Sequence, residues 1–117
     1  MEVRENGQIV LLKFPQTDLN EGKLRPVLLI SKLPGELDDW LVCMISTKMT
    51  MFMEGIDVTI NESDDDFNVA GLKSSSVFRV LRIAVINKEI MLGKIGNISH
   101  ERLSSIKSSI SKWLLNS

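Results

Sequence analysis

Short aliphatic runs separated by polar turn formers dominate the first half of the chain. Residues 9–12 and 27–33 are two such runs, and each predicts a buried strand because it is short and rich in aliphatic side chains. The intervening loop holds Pro15, Asp18, Asn20 and Gly22, which favour turns, so the two strands are predicted to pair antiparallel. Residues 40–46 would present apolar side chains on both faces of a strand, which predicts a third strand in the centre of the sheet.

A methionine-rich segment follows the third strand. Residues 47–54 alternate Met49, Met51 and Met53 with Thr50 and Phe52. One interpretation is a further strand edge whose methionines fill the core. The other is an adaptable apolar surface for a partner peptide, since methionine repacks easily.

The second half of the chain alternates less regularly. Residues 56–60 predict a short strand with Asp57 and Thr59 facing solvent and the three aliphatic residues facing the core. An exposed acidic loop is expected at residues 62–66. Residues 77–86 are apolar except for Arg79 and Arg82, which predicts either one bent strand or two short ones.

The chain ends in a predicted helix over residues 100–115. Ser99 is a favourable N-cap residue, and Glu101 lies in the first turn, where a negative charge is stabilising. Four apolar residues share one helical face: Leu103, Ile106, Ile110 and Trp113. Five serines between residues 104 and 111 lower the intrinsic helix propensity, so the helix is expected to depend on docking.

Many short strands followed by one helix predict a mainly β (α+β) fold, a small antiparallel barrel-like sheet covered by the helix. With 117 residues the chain is expected to form one domain, residues 1–117. The polar N-terminus predicts no signal peptide, and no apolar run reaches the ~18 residues of a membrane span. The lone Cys43 excludes an internal disulfide, so a cytoplasmic location is expected.

Charge divides the chain unevenly. Residues 1–66 carry 6 Lys/Arg and 13 Asp/Glu, a net charge of −7, whereas residues 67–117 carry 8 and 2, a net charge of +6. Such asymmetry is typical of a chain whose basic part binds an anionic partner such as a nucleic acid. The alternative is that the acid is simply concentrated in the exposed loop.

Arg25 is the leading candidate for chemistry. Pro26 biases Arg25 toward an extended conformation and favours the first position of a strand, so the guanidinium is fixed at a strand mouth beside a loop. Such a group binds phosphate bidentately and is always charged. The alternative is an ion pair with Asp18 or Glu21 across the loop.

RNA offers a reaction that these residue types can catalyse. Its 2′-hydroxyl can attack the adjacent phosphorus, which requires positioning, charge stabilisation and proton transfer but no metal. Ser46 or Thr47, at the end of the third strand, can place a hydroxyl on the phosphate that Arg25 binds. Lys23 and Lys48 are candidates for contacts to the RNA backbone.

Other chemistries find little support. There is no metal-ligand spacing, P-loop or dinucleotide motif, so no metal or cofactor is predicted. A Cys–His nucleophile would need Cys43 and His100. Cys43 lies in an apolar run and is expected to be a buried structural thiol, and His100 is expected to be solvated at the helix start.

Several segments, in this order, resemble the MazF/PemK-like toxins of bacterial toxin–antitoxin pairs. They are Gly7-Gln8-Ile9-Val10, Phe14-Pro15-Gln16-Thr17-Asp18, residues 23–30, Ile45-Ser46-Thr47, Gly71-Leu72-Lys73, Ser76-Val77-Phe78-Arg79 and residues 93–103. The resemblance implies an SH3-like, CcdB/MazF-like barrel, a homodimer and a cognate antitoxin whose segment occupies the RNA groove. It also implies a sequence-selective, metal-independent endoribonuclease that cuts single-stranded RNA and leaves a cyclic phosphate.

The resemblance also implies site residues. The catalytic pair maps onto Arg25 and Ser46, with Thr47 as a possible substitute. Residues 49–53 and 14–24 are candidates for the walls of the groove.

Two departures from the family pattern leave the proton acceptor unassigned. Many relatives carry a Glu where this chain has Asn20, and PemK-like members carry an Asp where this chain has Leu81. Asp18 and Glu21 are the remaining candidates, and Arg79 is either an auxiliary phosphate contact or a structural ion-pair partner. The departures favour an alternative function, a non-catalytic binding module such as a gyrase poison or an inactive homologue.

Overall fold

The structure is a computed structural model that describes residues 3–14 and 23–117. Six strands form one sheet: β1 (Gln8–Phe14), β2 (Lys23–Lys32), β3 (Asp39–Ser46), β4 (Val58–Ile60), β5 (Ser76–Asn87) and β6 (Gly93–Asn97). Their order across the sheet is β4-β5-β3-β2-β1-β6, and every neighbouring pair is antiparallel. The helices are α1 (Phe67–Ala70) and α2 (His100–Leu115), with short 3-10 helices at Met49–Met51 and Lys88–Ile90.

The strand arrangement confirms the predicted fold class. β1 pairs with β2 through a register that matches Val10 with Val27, and β3 lies inside the sheet between β2 and β5. β5 is one bent strand rather than two. Met44 pairs with Arg79 while Cys43 pairs with Ile83, so residues 80–82 form an irregularity that bends the strand.

The sheet buries apolar side chains on both faces because it curls into a half-barrel. Residues on the first face, including Ile9, Leu28 and Phe78, pack under α2 against Leu103 and Ile106. The second face holds a smaller cluster of buried residues: Val10, Leu12, Val27, Leu29, Trp40, Val42 and Met91. The helix α1 contacts β6, the far edge of the sheet from β4, and so links the two edges.

The terminal helix follows its sequence signals closely. Ser99 caps it, since its Oγ accepts a hydrogen bond from the Arg102 backbone N–H at 3.1 Å. Leu103 and Ile106 are buried, whereas Trp113 is 45% exposed, because the last turns face an open groove beside Gly55–Val58 rather than the sheet. Among the described residues, no helix combines the length and the apolar character that a membrane span needs.

For the segment between β3 and β4, one of the two interpretations of the methionines and the prediction for Asp57 are wrong. The methionines at 49, 51 and 53 do not fill the core but are 40–42% exposed, because the chain turns through a 3-10 helix instead of extending the sheet. Asp57 does not face solvent. It precedes β4 instead of alternating within it, and its carboxylate is buried on backbone amides of Met53 and Val80.

The acidic loop at residues 62–66 was predicted to be exposed, but two of its carboxylates bind an arginine of α2. The Arg102 guanidinium donates hydrogen bonds to Asp66 Oδ1 at 2.8 Å and Oδ2 at 3.0 Å, and to Asp64 Oδ2 at 3.2 Å. It also donates to the Thr59 carbonyl oxygen. The first turn of α2 is therefore tied to β4 and to the segment that leads into α1.

Asp66 makes this tie sensitive to acid. Its hydrogen bonds with Arg102 lower the pKa of the carboxyl from 3.8 to about 2. Because the pKa is depressed in the folded chain, the stabilisation is complete above the unfolded pKa and is lost as pH falls through the folded one. We expect Asp66→Asn to lower the unfolding free energy by about 2 kcal/mol at pH 6. The deficit should shrink between about pH 4 and pH 2.

Urea unfolding of the two proteins across this pH range measures the effect. Asp65→Asn is the matched control, since Asp65 is exposed and is not among the carboxylates that bind Arg102. A deficit that stays constant from pH 6 to pH 2.5 would contradict the assignment.

Candidate functional site

The register between β2 and β3 brings Arg25 and Ser46 together. Val27 pairs with Met44. Because the two strands are antiparallel, Arg25, two residues before Val27, lies opposite Ser46, two residues after Met44. Side chains two apart along a strand share a face, which places both residues at one end of the second face of the sheet. Both side chains line two adjoining clefts, which also share Pro26 and Ile45.

The larger cleft has a volume of about 450 Å³. Its far wall comes from the segment after α1, from the first residue of β5 and from β6, namely Gly71, Leu72, Lys73, Ser76 and Ile95. Thr47 and Lys48 line it from the end of β3, and both are exposed. Three cations, Arg25, Lys48 and Lys73, therefore border this cleft.

The smaller cleft, of about 270 Å³, lies on the other side of the Arg25–Ser46 pair. Arg79 and Arg82 from β5 line it together with Met44 and Met51. The Arg79 Nη1 lies 3.4 Å from the Met51 sulfur. The two clefts together place five cations around one hydroxyl-bearing strand end, which is an arrangement that can bind successive phosphates of a polyanion.

Ser46 has a defined orientation. Its Oγ accepts a hydrogen bond from the Lys48 backbone N–H at 3.1 Å, so its own O–H remains available as a donor. Arg25 is exposed, and no described carboxylate lies within ion-pair distance of it. The pair can therefore present a guanidinium and a hydroxyl to one phosphoryl group.

The remaining predicted site residues divide into three groups. Thr47, Lys48 and Arg79 lie at the clefts. Lys23 is exposed at the start of β2, two residues before Arg25, and lines neither cleft. Asp18 and Glu21 lie outside the described residues, as does Asn20.

Three residues of the site region were missed by the sequence prediction. Lys73 reaches the larger cleft and Arg82 the smaller one. Both had a signal, since Lys73 belongs to a family-like segment and Arg82 interrupts an apolar strand. For Asp57 the sequence pattern was misleading, because the alternation of residues 56–60 predicted that its side chain faces solvent, whereas it is buried.

Carboxylates are scarce at the clefts. Within residues 3–14 and 23–117, no Asp or Glu lines either one. Leu81, the position at which the resemblance implied an acid, packs against the first-face core. The same part of the chain holds no group of three or more His, Cys, Asp or Glu that could bind a metal ion.

The Cys–His alternative has no geometry to support it. Cys43 is completely buried, and burial, together with the nearby charge of Asp57, raises the pKa of its thiol to about 12. The thiol therefore stays protonated at neutral pH and is a poor nucleophile. His100 is exposed at the first position of α2, as predicted.

Comparison with protein families decides where the chain belongs. The family model described as PemK-like, MazF-like toxin of type II toxin–antitoxin systems matches residues 5–114. The chain belongs to this family. No curated protein sequence matches the PemK/MazF-like chain.

A solved structure confirms the fold of this PemK/MazF-like toxin. The Mycobacterium tuberculosis toxin MazF-mt6 superimposes with a TM-score of 0.64 and 18% sequence identity, covering 90% of this chain and 93% of that one. At this identity the likeness establishes the architecture. The curled sheet and the terminal helix are therefore those of a MazF-like toxin.

Proposed function

We propose that this PemK/MazF-like toxin is a sequence-selective, metal-independent endoribonuclease that cuts single-stranded RNA. The observation that carries the proposal is the convergence of Arg25 and Ser46 at the shared rim of two clefts, flanked by four further cations. Single strands are the substrate because only there are base edges and in-line geometry accessible.

The reaction begins with attack of the 2′-hydroxyl on the adjacent phosphorus. The 2′-hydroxyl gives up its proton as its oxygen bonds to phosphorus, the bond from phosphorus to the 5′-oxygen breaks, and the departing 5′-oxygen takes up a proton, giving a 2′,3′-cyclic phosphate and a 5′-hydroxyl end. Arg25 stabilises the negative charge that grows on the phosphoryl oxygens, and the Ser46 O–H donates to one of them. Asp18 and Glu21 remain the candidates for the proton acceptor.

The cations and methionines at the clefts also support the proposed partners. Lys48, Lys73 and Arg82 hold flanking phosphates, and Arg79 adds a further contact in the smaller cleft. The exposed methionines beside that cleft form an adaptable wall that suits both RNA bases and a segment of the cognate antitoxin. We place the toxin in the cytoplasm as a homodimer, where RNA is available and Cys43 stays reduced.

The test is incubation of the purified toxin, free of antitoxin, with a long single-stranded RNA in excess EDTA. Discrete cuts ending in cyclic phosphate are expected. Intact RNA from folded protein would favour the second candidate function, a non-catalytic binding module. The leucine at position 81 and the lack of a described carboxylate at either cleft favour that alternative.

Ser46 and Thr47 can be ranked by mutation. We expect Ser46→Ala to slow cleavage by about 10²-fold, because a donor to the transition state is lost. Thr47→Ala should have a much smaller effect, since Thr47 lines the larger cleft alone and not the rim shared with Arg25. Single-turnover rates on one fluorescent oligonucleotide compare them. The reverse ranking would move the catalytic hydroxyl to Thr47.

A further inference from the structure

Asp57 is a buried carboxylate that the proposed reaction does not use. Its side chain is 1% exposed. Oδ1 accepts a hydrogen bond from the Val80 backbone N–H at 3.0 Å, and Oδ2 accepts one from the Met53 N–H at 3.0 Å. Oδ2 also lies 3.6 Å from Arg79 Nε. The carboxylate thus joins the methionine segment, β5 and one guanidinium of the site.

The charge of Asp57 is balanced mainly by Arg79. A buried carboxylate is costly unless it is hydrogen-bonded and paired with a cation. Backbone amides supply the hydrogen bonds but no positive charge. Among the described residues, the cation within ion-pair distance is Arg79. The Arg79 side chain is itself only 12% exposed, so the two charges depend on each other.

This pairing fixes the direction of the Arg79 side chain. Nε faces Asp57 while Nη1 faces the Met51 sulfur, so two edges of the planar guanidinium are held by known neighbours. Asp57 also accepts a hydrogen bond from Met53, two residues beyond Met51, and so holds the segment that carries Met51. A fixed guanidinium binds phosphate with less loss of conformational entropy than a mobile one.

Asp57 is not placed to transfer a proton. It is enclosed, it lines neither cleft, and its two oxygens are both occupied by amide donors. Its route to the reaction therefore runs through Arg79, which does line the smaller cleft beside Arg25 and Ser46.

We propose that Asp57 is a positioning residue that holds Arg79 in the smaller cleft for contact with an RNA phosphate. The inference rests on the proposed ribonuclease function. It gives Arg79 a carboxylate partner from a separate segment, whereas the residue two positions after Arg79 in its own strand is Leu81.

A double-mutant cycle tests the proposal. Asp57→Asn keeps the shape of the side chain and removes its charge, and Arg79→Gln removes the guanidinium. We expect Asp57→Asn to lower kcat/KM for RNA cleavage about tenfold and to cause no further loss in the Arg79→Gln background. Thermal unfolding first identifies a temperature at which every variant is folded. Asp66→Asn is the control and should cleave normally, because it loses an ion pair with Arg102 and neither residue lines either cleft.

The sign of the effect separates positioning from simple electrostatics. Removing a negative charge near an RNA site should improve binding if charge alone matters, whereas loss of a positioning contact should weaken the reaction. A wild-type rate in Asp57→Asn, or a loss that adds fully to that of Arg79→Gln, would overturn the proposal while leaving the ribonuclease function intact.

The contact between Asp57 and Arg79 can also be measured by NMR, independently of RNA cleavage. The Arg79 Nε–Hε resonance, assigned by its disappearance in Arg79→Gln, should move in Asp57→Asn and stay in place in Asp66→Asn. If the wild-type protein fails to cleave RNA, the proposed function fails, and this resonance still decides whether Asp57 holds Arg79. An unchanged resonance in Asp57→Asn would overturn the positioning role.

Discussion

Arg25→Ala is expected to slow RNA cleavage by about 10²- to 10³-fold, the usual cost of removing one preorganised donor to a developing oxyanion. Arg25 lies at the rim shared by both clefts, beside the Ser46 hydroxyl, so its guanidinium can reach a phosphoryl group in either one. Single-turnover cleavage of a fluorescent oligonucleotide in EDTA measures the loss.

Two matched variants give this result its meaning. Arg25→Lys keeps the charge but loses the planar fork, so we expect an intermediate rate if bidentate contact matters. Lys107→Ala removes one cation from the exposed face of α2, away from both clefts, and should leave the rate near that of the wild type. An Arg25→Ala protein that retains most of the wild-type rate would remove Arg25 from the catalytic pair.

The sheet could be predicted from sequence because its signals are local. The aliphatic runs around Val10 and Val27 are buried on both faces, and such runs mark strands wherever they occur. The helix boundaries were predictable for the same reason, since Ser99 caps the helix within its own first turn. These features depend on neighbours a few residues away.

The site was only partly predictable because half of it is assembled by long-range contacts. Ser46 ends β3 and Arg25 is the third residue of β2, which begins earlier than the predicted residue 27, so antiparallel pairing of β2 with β3 suffices to bring them together. Lys73 reaches the same cleft because α1 packs against β6, a contact that no local pattern indicates. Asp57 illustrates the limit most clearly, since its partner Val80 lies 23 residues away.

The uneven charge of the sequence is partly offset by ion pairs within the fold. The ion pairs among the described residues each join an acid from residues 1–66 to a cation from residues 67–117, such as Asp57 with Arg79 and Asp66 with Arg102. These ion pairs neutralise part of the charge of each half in the fold. The cations left at the clefts come from both halves, and these form the surface that suits an anionic ligand.

Gly71→Ala is expected to destabilise the fold strongly. Gly71 has φ of 72°, a left-handed conformation that costs other residues about 1–2 kcal/mol. A Cβ there would also overlap the Ile95 carbonyl of β6, so the backbone contact between α1 and β6 would have to open. We expect the unfolding free energy to fall by roughly 3 kcal/mol or more, because strain and steric overlap add.

Gly55→Ala separates these two contributions. Gly55 has φ of 81°, but a Cβ there meets no atom within 4 Å, so this variant suffers the left-handed strain alone. Urea unfolding of both variants and the wild type gives the free energy of unfolding lost in each, and the difference between the two losses is the cost of the overlap at Gly71. Equal losses would mean that α1 and β6 can separate at little cost. A much larger loss at Gly71 would show that this contact holds the far wall of the larger cleft, because Gly71, Lys73 and Ile95 all line it. The proposed RNA site would then depend on a glycine that touches no catalytic group.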